Sequence, residues 1–222
     1  KGLQEVTQLP SLTVLTLSGE NVTDEGLGDL AKLEELTELT IRYTRITDQT
    51  LREVAKLKNL NTLKLEQNEH LTDEGMKEIS KLPGLTSLAV NAGGTEYQKS
   101  QIKISDESLK EIGALQNLTK LELHSSLLFT DAGFKELANL KRLTSLSLIG
   151  SNITHIGLQE IAQLEGLSTL SLSKVNNLGL KEVSRLSNLT SLEVTNSGGI
   201  NDADMREIAR LQKLSTLKLW GC

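Results

Sequence analysis

Apolar residues recur along the chain in the pattern L-x-x-L-x-L, with Ile or Val in place of the last Leu in some copies. The first copy is Leu12, Leu15 and Leu17, and the second begins 24 residues later. The last three positions alternate between apolar and polar residues, which is typical of a strand with one buried face. The pattern therefore predicts about nine short strands. The nine copies begin at Leu12, Leu36, Leu60, Leu85, Leu118, Leu143, Leu167, Leu189 and Leu214.

Between the strands the apolar spacing changes to three and four residues, as in Leu51, Val54 and Leu57. This spacing predicts a short helix with one buried side, and it occurs in each of the eight intervals. Units that each supply one strand and one helix stack into a solenoid. We therefore expect an α/β fold, a right-handed horseshoe with a parallel concave sheet of about nine strands and with helices outside.

Most helices are preceded by an apolar residue, then Thr or Ser, then Asp, as in Val22-Thr23-Asp24. The hydroxyl of the Thr or Ser can accept a hydrogen bond from a first-turn amide, and the Asp places negative charge at the positive end of the helix dipole. The same start is predicted at Thr23, Thr47, Thr72, Ser105 and Thr130. Two units differ, with His155 in place of the Asp and Asn201 in place of the Thr.

With I-T-D-x-G-L at the helix start and L-x-x-L-x-L in the strand, the repeat resembles the cysteine-containing class of leucine-rich repeats. That class is best known from F-box substrate receptors and has cysteine-poor bacterial relatives. The best matches are residues 22–27 and 71–76. The resemblance implies a leucine-rich repeat solenoid that binds other proteins, and it favours a bacterial repeat protein.

One interval is longer than the others, with 33 residues between Leu85 and Leu118. The extra residues predict a loop over 91–104 that leaves the solenoid between a strand and a helix. Insertions of this kind are often the binding device of a repeat protein. Tyr97 would be the aromatic anchor of the loop, and a tolerated insertion is the alternative.

Two groups of side chains are candidate binding residues. One group follows the third apolar position of each strand, where residues face outward from the concave sheet. The other group lies just past a strand, where Arg and the rare aromatic residues are typical of binding hot spots. The candidates are Arg42, Tyr43, Arg45, Glu66, Asn91, Tyr97, His124 and Trp220. For Trp220 the simpler interpretation is packing against a following repeat.

The charged residues, the cysteine and the histidines indicate which classes of partner and site are not expected. The 24 basic and 29 acidic residues give a net charge of −5 without a basic cluster, so we expect no nucleic-acid partner. No apolar run suits a membrane span, and the single cysteine favours a reducing compartment. His70, His124 and His155 fall in different repeats, so we expect no catalytic residues, metal site or cofactor.

We expect residues 1–222 to form one leucine-rich repeat domain, a segment of a longer protein, because neither end carries a polar capping unit. The chain would be a monomer, or a dimer joined through an uncapped end. The predicted function is non-catalytic protein binding through the concave face and the 91–104 loop. The alternative is a structural spacer or sensor arm within a larger multidomain protein.

Overall fold

The computed structural model describes residues 5–91, 104–124 and 128–221. Nine strands in these ranges form one parallel sheet, in which spatial order equals chain order. This confirms the predicted strands and the α/β solenoid. The strands are β1 Val14–Ser18, β2 Glu38–Arg42, β3 Thr62–Glu66, β4 Ser87–Asn91, β5 Lys120–His124, β6 Ser145–Leu148, β7 Thr169–Ser173, β8 Ser191–Thr195 and β9 Thr216–Trp220.

One α-helix follows each of the first eight strands. The helices are α1 Asp24–Leu27, α2 Asp48–Val54, α3 Asp73–Ile79, α4 Asp106–Gly113, α5 Asp131–Phe134, α6 His155–Ile161, α7 Asn177–Val183 and α8 Asp202–Ile208. Two of them are only four residues long and give way to 3₁₀ turns at Leu30–Lys32 and Lys135–Asn139. At α1 the helix ends before Gly28, a residue with low helix propensity.

The apolar positions of strands and helices form one continuous core between the sheet and the helices. In β2, Leu39 and Ile41 are fully buried, and their counterparts Leu63 and Leu65 occupy the same places in β3. Each repeat therefore stacks its leucines directly on those of the next. Replacing one such leucine by alanine would remove about 2–5 kcal/mol of folding free energy.

The helix-start prediction is confirmed for some units and wrong for others. The hydroxyl of Thr47 accepts a hydrogen bond from the Gln49 amide at 3.2 Å, and Thr72 and Ser105 cap their helices in the same way. Thr23 and Thr130 make no such bond, although they occupy the same position.

The aspartates after these residues have a role that helix-dipole reasoning does not predict. Each accepts hydrogen bonds from the helix start of the following repeat. The Asp48 carboxylate, for example, receives the backbone N–H of Thr72 at 2.9 Å and its hydroxyl at 2.6 Å. We call this series the carboxylate ladder. Its members are Asp24, Asp48, Asp73, Asp106 and Asp131.

The third residue of the receiving helix is adapted to the ladder. It is either a hydroxyl residue that adds a bond, such as Thr50, or a glycine that leaves room for the carboxylate. At Gly157 the amide donates to Asp131 at 3.1 Å, and an added Cβ would lie 2.6 Å from the same oxygen. The ladder is not continued at His155. The next helix is instead capped by Asn176, which accepts from the Gly179 amide at 2.9 Å.

Candidate functional site

The sheet register brings four of the candidate residues into one row. Arg42, Glu66, Asn91 and His124 are successive partners at the ends of β2, β3, β4 and β5. Parallel strands lie about 4.8 Å apart, so the row is about 14 Å long. The sequence prediction that these residues share one outward line is confirmed in position. Their use in binding stays a prediction.

Several polar side chains near this row bond to each other. His124 Nε2 lies 2.8 Å from the Ser147 hydroxyl on β6. Lys120 and Glu122 form an ion pair at 2.7 Å. Arg42 is exposed and forms no ion pair within the described ranges, so the row presents a cation at its β2 end.

The residues after β2 form a rigid edge. The Tyr43 amide donates to the Glu66 carbonyl at 2.9 Å, and the Arg45 amide donates to the Val22 carbonyl at 3.0 Å. Between them, buried Thr44 donates through its amide and its hydroxyl to the Asn68 carboxamide oxygen, at 3.2 and 2.6 Å. Every backbone amide from 43 to 45 is therefore held by a neighbouring repeat, whereas the Tyr43 side chain is 52% exposed.

Tyr43 also has an unusual backbone conformation. Its φ of +55° lies in the left-handed region, where a side chain other than Gly or Asn costs about 1 kcal/mol or more. Equivalent positions after other strands share the positive φ and hold Gly19 (+110°), Gln67 (+53°), Lys174 (+56°) and Asn196 (+53°). The repeat thus accepts a small or polar residue here, and this unit carries a large aromatic one.

A depression of about 490 Å³ opens beside this edge. At its rim the Arg45 guanidinium pairs with the Glu20 carboxylate at 2.6 Å, with both side chains more than half exposed. Five of its residues were not among the sequence candidates. Three of these, Gln67, Glu69 and His70, precede the buried Leu71 in a loop without apolar periodicity. The lining residues are Glu20, Tyr43, Thr44, Arg45, Gln67, Glu69 and His70.

The aromatic candidate Trp220 lies away from this site. Trp220 is the last residue of β9, where it pairs with Thr195 and is 59% exposed. Tyr97 and the other residues from 92 to 103 of the predicted loop lie outside the described residues. Asn91 and Ile104 mark the two ends of that loop.

The three histidines lie in three different repeats. His70 lines the depression beside Tyr43, His124 lies on the sheet, and His155 begins α6. Within the described ranges no three His, Cys, Asp or Glu side chains are grouped so that they could hold a metal ion. None of the helices described is both long enough and apolar enough to cross a membrane.

Comparison with known proteins gives the same fold. A leucine-rich repeat family model matches residues 56–80. No curated protein matches the sequence. The structure of the internalin inlF from Listeria monocytogenes superposes with a TM-score of 0.69 at 21% identity, covering 99% of this chain and 67% of that one.

Internalin C2 of the same bacterium gives a TM-score of 0.70 at 21% identity, covering 98% of this chain and 90% of that one. At this identity the likeness concerns the fold, so the resemblance to the cysteine-containing class stays a prediction. The repeat pattern, the nine-stranded parallel sheet and the family match agree with each other. By its fold, the chain is a leucine-rich repeat protein.

Proposed function

We propose that the chain is a non-catalytic protein-binding module. Its recognition surface would be the concave end of β2 to β5 with the adjoining edge at 42–45, and the 91–104 loop would extend this surface. Stacked repeats create extended concave surfaces suited to this use. The observation that carries the proposal is the edge after β2, where an exposed aromatic and two arginines stand on a backbone fixed by its neighbours.

The rigidity of this edge matters for affinity. A binding loop that must become ordered loses conformational entropy, whereas a fixed backbone pays little of that cost. Tyr and Arg are enriched among the residues that dominate binding energy. Tyr43, Arg42 and Arg45 would therefore form the centre of the contact, and Glu66, Asn91 and His124 would add polar contacts along the row.

The surface suits a protein better than a small molecule. The depression is open and polar, and its lining combines the carboxylates of Glu20 and Glu69 with the Arg45 cation. Small-molecule sites are more enclosed and mostly apolar. A mixed-charge surface of this kind would select partners by electrostatic complementarity.

The test is affinity capture from native lysate, followed by titration of each captured protein. The test variant combines Arg42→Ala, Tyr43→Asn and Arg45→Ala. Asparagine is chosen because it tolerates the left-handed backbone, as it does at the equivalent position after β8. The matched control combines Lys56→Ala and Lys81→Ala. It also removes two positive charges, but from positions just after the C-terminal ends of α2 and α3.

We expect a saturable partner whose affinity falls at least about tenfold in the test variant and stays unchanged in the control. A variant lacking residues 93–101 tests the loop in the same assay. Equal loss in test and control variants would contradict the proposal. If wild-type chain and all variants retain nothing while equally folded, the spacer or sensor-arm alternative is favoured.

A further inference from the structure

The helix starts are held in two different ways along the solenoid. From α2 to α6, each helix start donates hydrogen bonds to the ladder aspartate of the preceding repeat. The starts of α7 and α8 are held within their own repeats. Asn176 caps α7 by accepting from the Gly179 amide, and Asn201 and Asp204 form a reciprocal capping box at α8. The change falls between α6 and α7, and we call this boundary between two repeats the seam.

At the seam, the small residue that accommodates a ladder carboxylate is retained, although no carboxylate reaches it. In the preceding repeat, an added Cβ at Gly157 would lie 2.6 Å from the Asp131 carboxylate, whereas the atoms nearest to an added Cβ at Gly179 belong to apolar side chains. A cavity of about 90 Å³ lies here, and its lining includes His155, Asn176 and Gly179. Groups that line a cavity lose contacts with the opposite side, so the two repeats pack less tightly at this point.

The sheet at the seam contains the shortest strand. β6 has four residues, and each of the other eight described strands has five. It therefore pairs with β7 over four residues, whereas β7 pairs with β8 over five. The Gly150 amide adds a bond across the seam to the Ser173 hydroxyl at 2.7 Å, but a neutral acceptor stabilises less than a carboxylate. In the described ranges, no carboxylate accepts a hydrogen bond across the seam.

A weak interface divides a solenoid into cooperative units, because stability is approximately the sum of the repeats and of the interfaces between neighbours. We propose that the chain opens at the seam, so that residues 169–221, from β7 to β9, unfold and refold as one C-terminal unit while the preceding repeats stay folded. His155 defines this boundary, since an aspartate there would continue the ladder. The recognition surface at β2 to β5 lies outside the C-terminal unit, so the two proposals are independent.

Native-state hydrogen–deuterium exchange of the whole chain, followed by NMR, measures opening at individual amides. Three matched reporters exist, because the residue after each helix donates its amide to the carbonyl four residues earlier. The distance is 2.9 Å for Ala162 after α6, Ser184 after α7 and Ala209 after α8. We expect Ser184 and Ala209 to share one protection factor, about tenfold below that of Ala162. Repeats that open one at a time would instead leave Ala209 less protected than Ser184.

Asp131→Asn tests whether the C-terminal unit opens without breaking the ladder. Asp131 receives the helix start of α6, so this substitution weakens the interface before α6 and leaves the seam intact. We expect exchange at Ala162 to become about fivefold faster or more, while the rates at Ser184 and Ala209 stay unchanged. In a chain that unfolds only as a whole, the same substitution would accelerate all three amides equally.

His155→Asp tests the origin of the seam. The new carboxylate would occupy the ladder position next to Asn176, and opening of the C-terminal unit would then break a bond to a charged acceptor. We expect exchange at Ser184 to slow about threefold to tenfold. The matched control is His155→Ala, which removes the imidazole without adding an acceptor and should not slow exchange at Ser184.

Circular dichroism of each variant would confirm that it is folded. Equal protection of Ala162 and Ser184 in the wild-type chain would overturn the proposal, as would lower protection of Ala209 than of Ser184. Faster exchange at Ser184 in Asp131→Asn would do so too, because α6 would then belong to the same cooperative unit. If His155→Asp slowed exchange at Ser184 no more than His155→Ala, the lack of a carboxylate at residue 155 would not be the cause of the seam.

Discussion

Replacing Asp24 by asparagine tests the carboxylate ladder most sharply, because this residue accepts four hydrogen bonds from the next repeat. One oxygen receives the amides of Thr47 and Thr50 at 3.0 and 3.2 Å and the Thr50 hydroxyl at 2.5 Å. The other oxygen receives the Thr47 hydroxyl at 2.7 Å. The side-chain carboxamide of the asparagine variant keeps one acceptor oxygen. Its NH₂ group replaces the other oxygen and cannot accept a hydrogen bond from the donor on that side.

The expected cost follows from the bonds that are lost. One bond to a charged acceptor disappears and the others lose their charge assistance, and a bond to a charged group is worth about 1.5–3 kcal/mol. Since Asp24 is partly exposed, water replaces some of this loss. We therefore expect Asp24→Asn to lower the free energy of unfolding by about 1–2 kcal/mol, measured by urea denaturation.

The control is Asp29→Asn, which makes the same change of charge in the same repeat. Among the residues that the structure describes, the Asp29 side chain pairs only with Lys32, at 3.0 Å, and both side chains are more than half exposed. Such surface pairs contribute about 0–1 kcal/mol. Equal unfolding free energies for the two variants would refute the idea that the ladder couples adjacent repeats.

The pH dependence gives a second check on Asp24. Burial raises its pKa, but the hydrogen bonds from Thr50 and Thr47 together outweigh burial and hold the pKa below its ordinary value of 3.8. The ionised carboxylate is therefore favoured by folding. Its contribution is complete above pH 3.8 and disappears as the pH falls through the lower, folded value. The difference between wild type and Asp24→Asn should stay constant near neutral pH and shrink below about pH 3.8.

Two further predictions concern the ladder. Gly157→Ala should destabilise the chain by about 1–3 kcal/mol, because the new Cβ would lie 2.6 Å from the Asp131 carboxylate. Gly28→Ala, whose Cβ would meet nothing within 4 Å, should be neutral or stabilising in the same urea titration, and similar losses in both would contradict the steric argument. His155→Asp should restore an acceptor for the helix start at Asn176 and add about 0.5–1.5 kcal/mol, whereas an unchanged or lower unfolding free energy would show that the ladder cannot be extended there.

Much of the fold could be predicted from the sequence because the apolar spacing within each repeat indicates one strand and one helix. The leucine spacing specified the strands, their order and the buried side of each helix. The register then placed Arg42, Glu66, Asn91 and His124 in one row without further information. Stacking of equal units leaves little freedom in how neighbouring strands pair.

The ladder could not be predicted in the same way, because local rules describe one helix at a time. They assign Thr47 to the cap and Asp48 to the helix dipole, and both assignments are locally reasonable. The actual bonds join residues about 24 positions apart, so they depend on how closely two loops approach. Thr130 illustrates the difference, because its hydroxyl donates to Asp106 of the previous repeat and makes no cap bond.

Only part of the candidate site could be predicted from the sequence, for a similar reason. Glu69 and His70 join Tyr43 around the depression through loop geometry that has no periodic signal.

Hydroxyl-radical footprinting of the chain with its captured partner tests the central claim most directly, because it reports the accessibility of individual side chains. Tyr43 is exposed and readily oxidised in the free chain, and Leu9, also 52% exposed, serves as the internal reference. We predict that the partner lowers oxidation of Tyr43 several-fold and leaves Leu9 unchanged. Unchanged oxidation of Tyr43 in a saturated complex would contradict recognition through this edge.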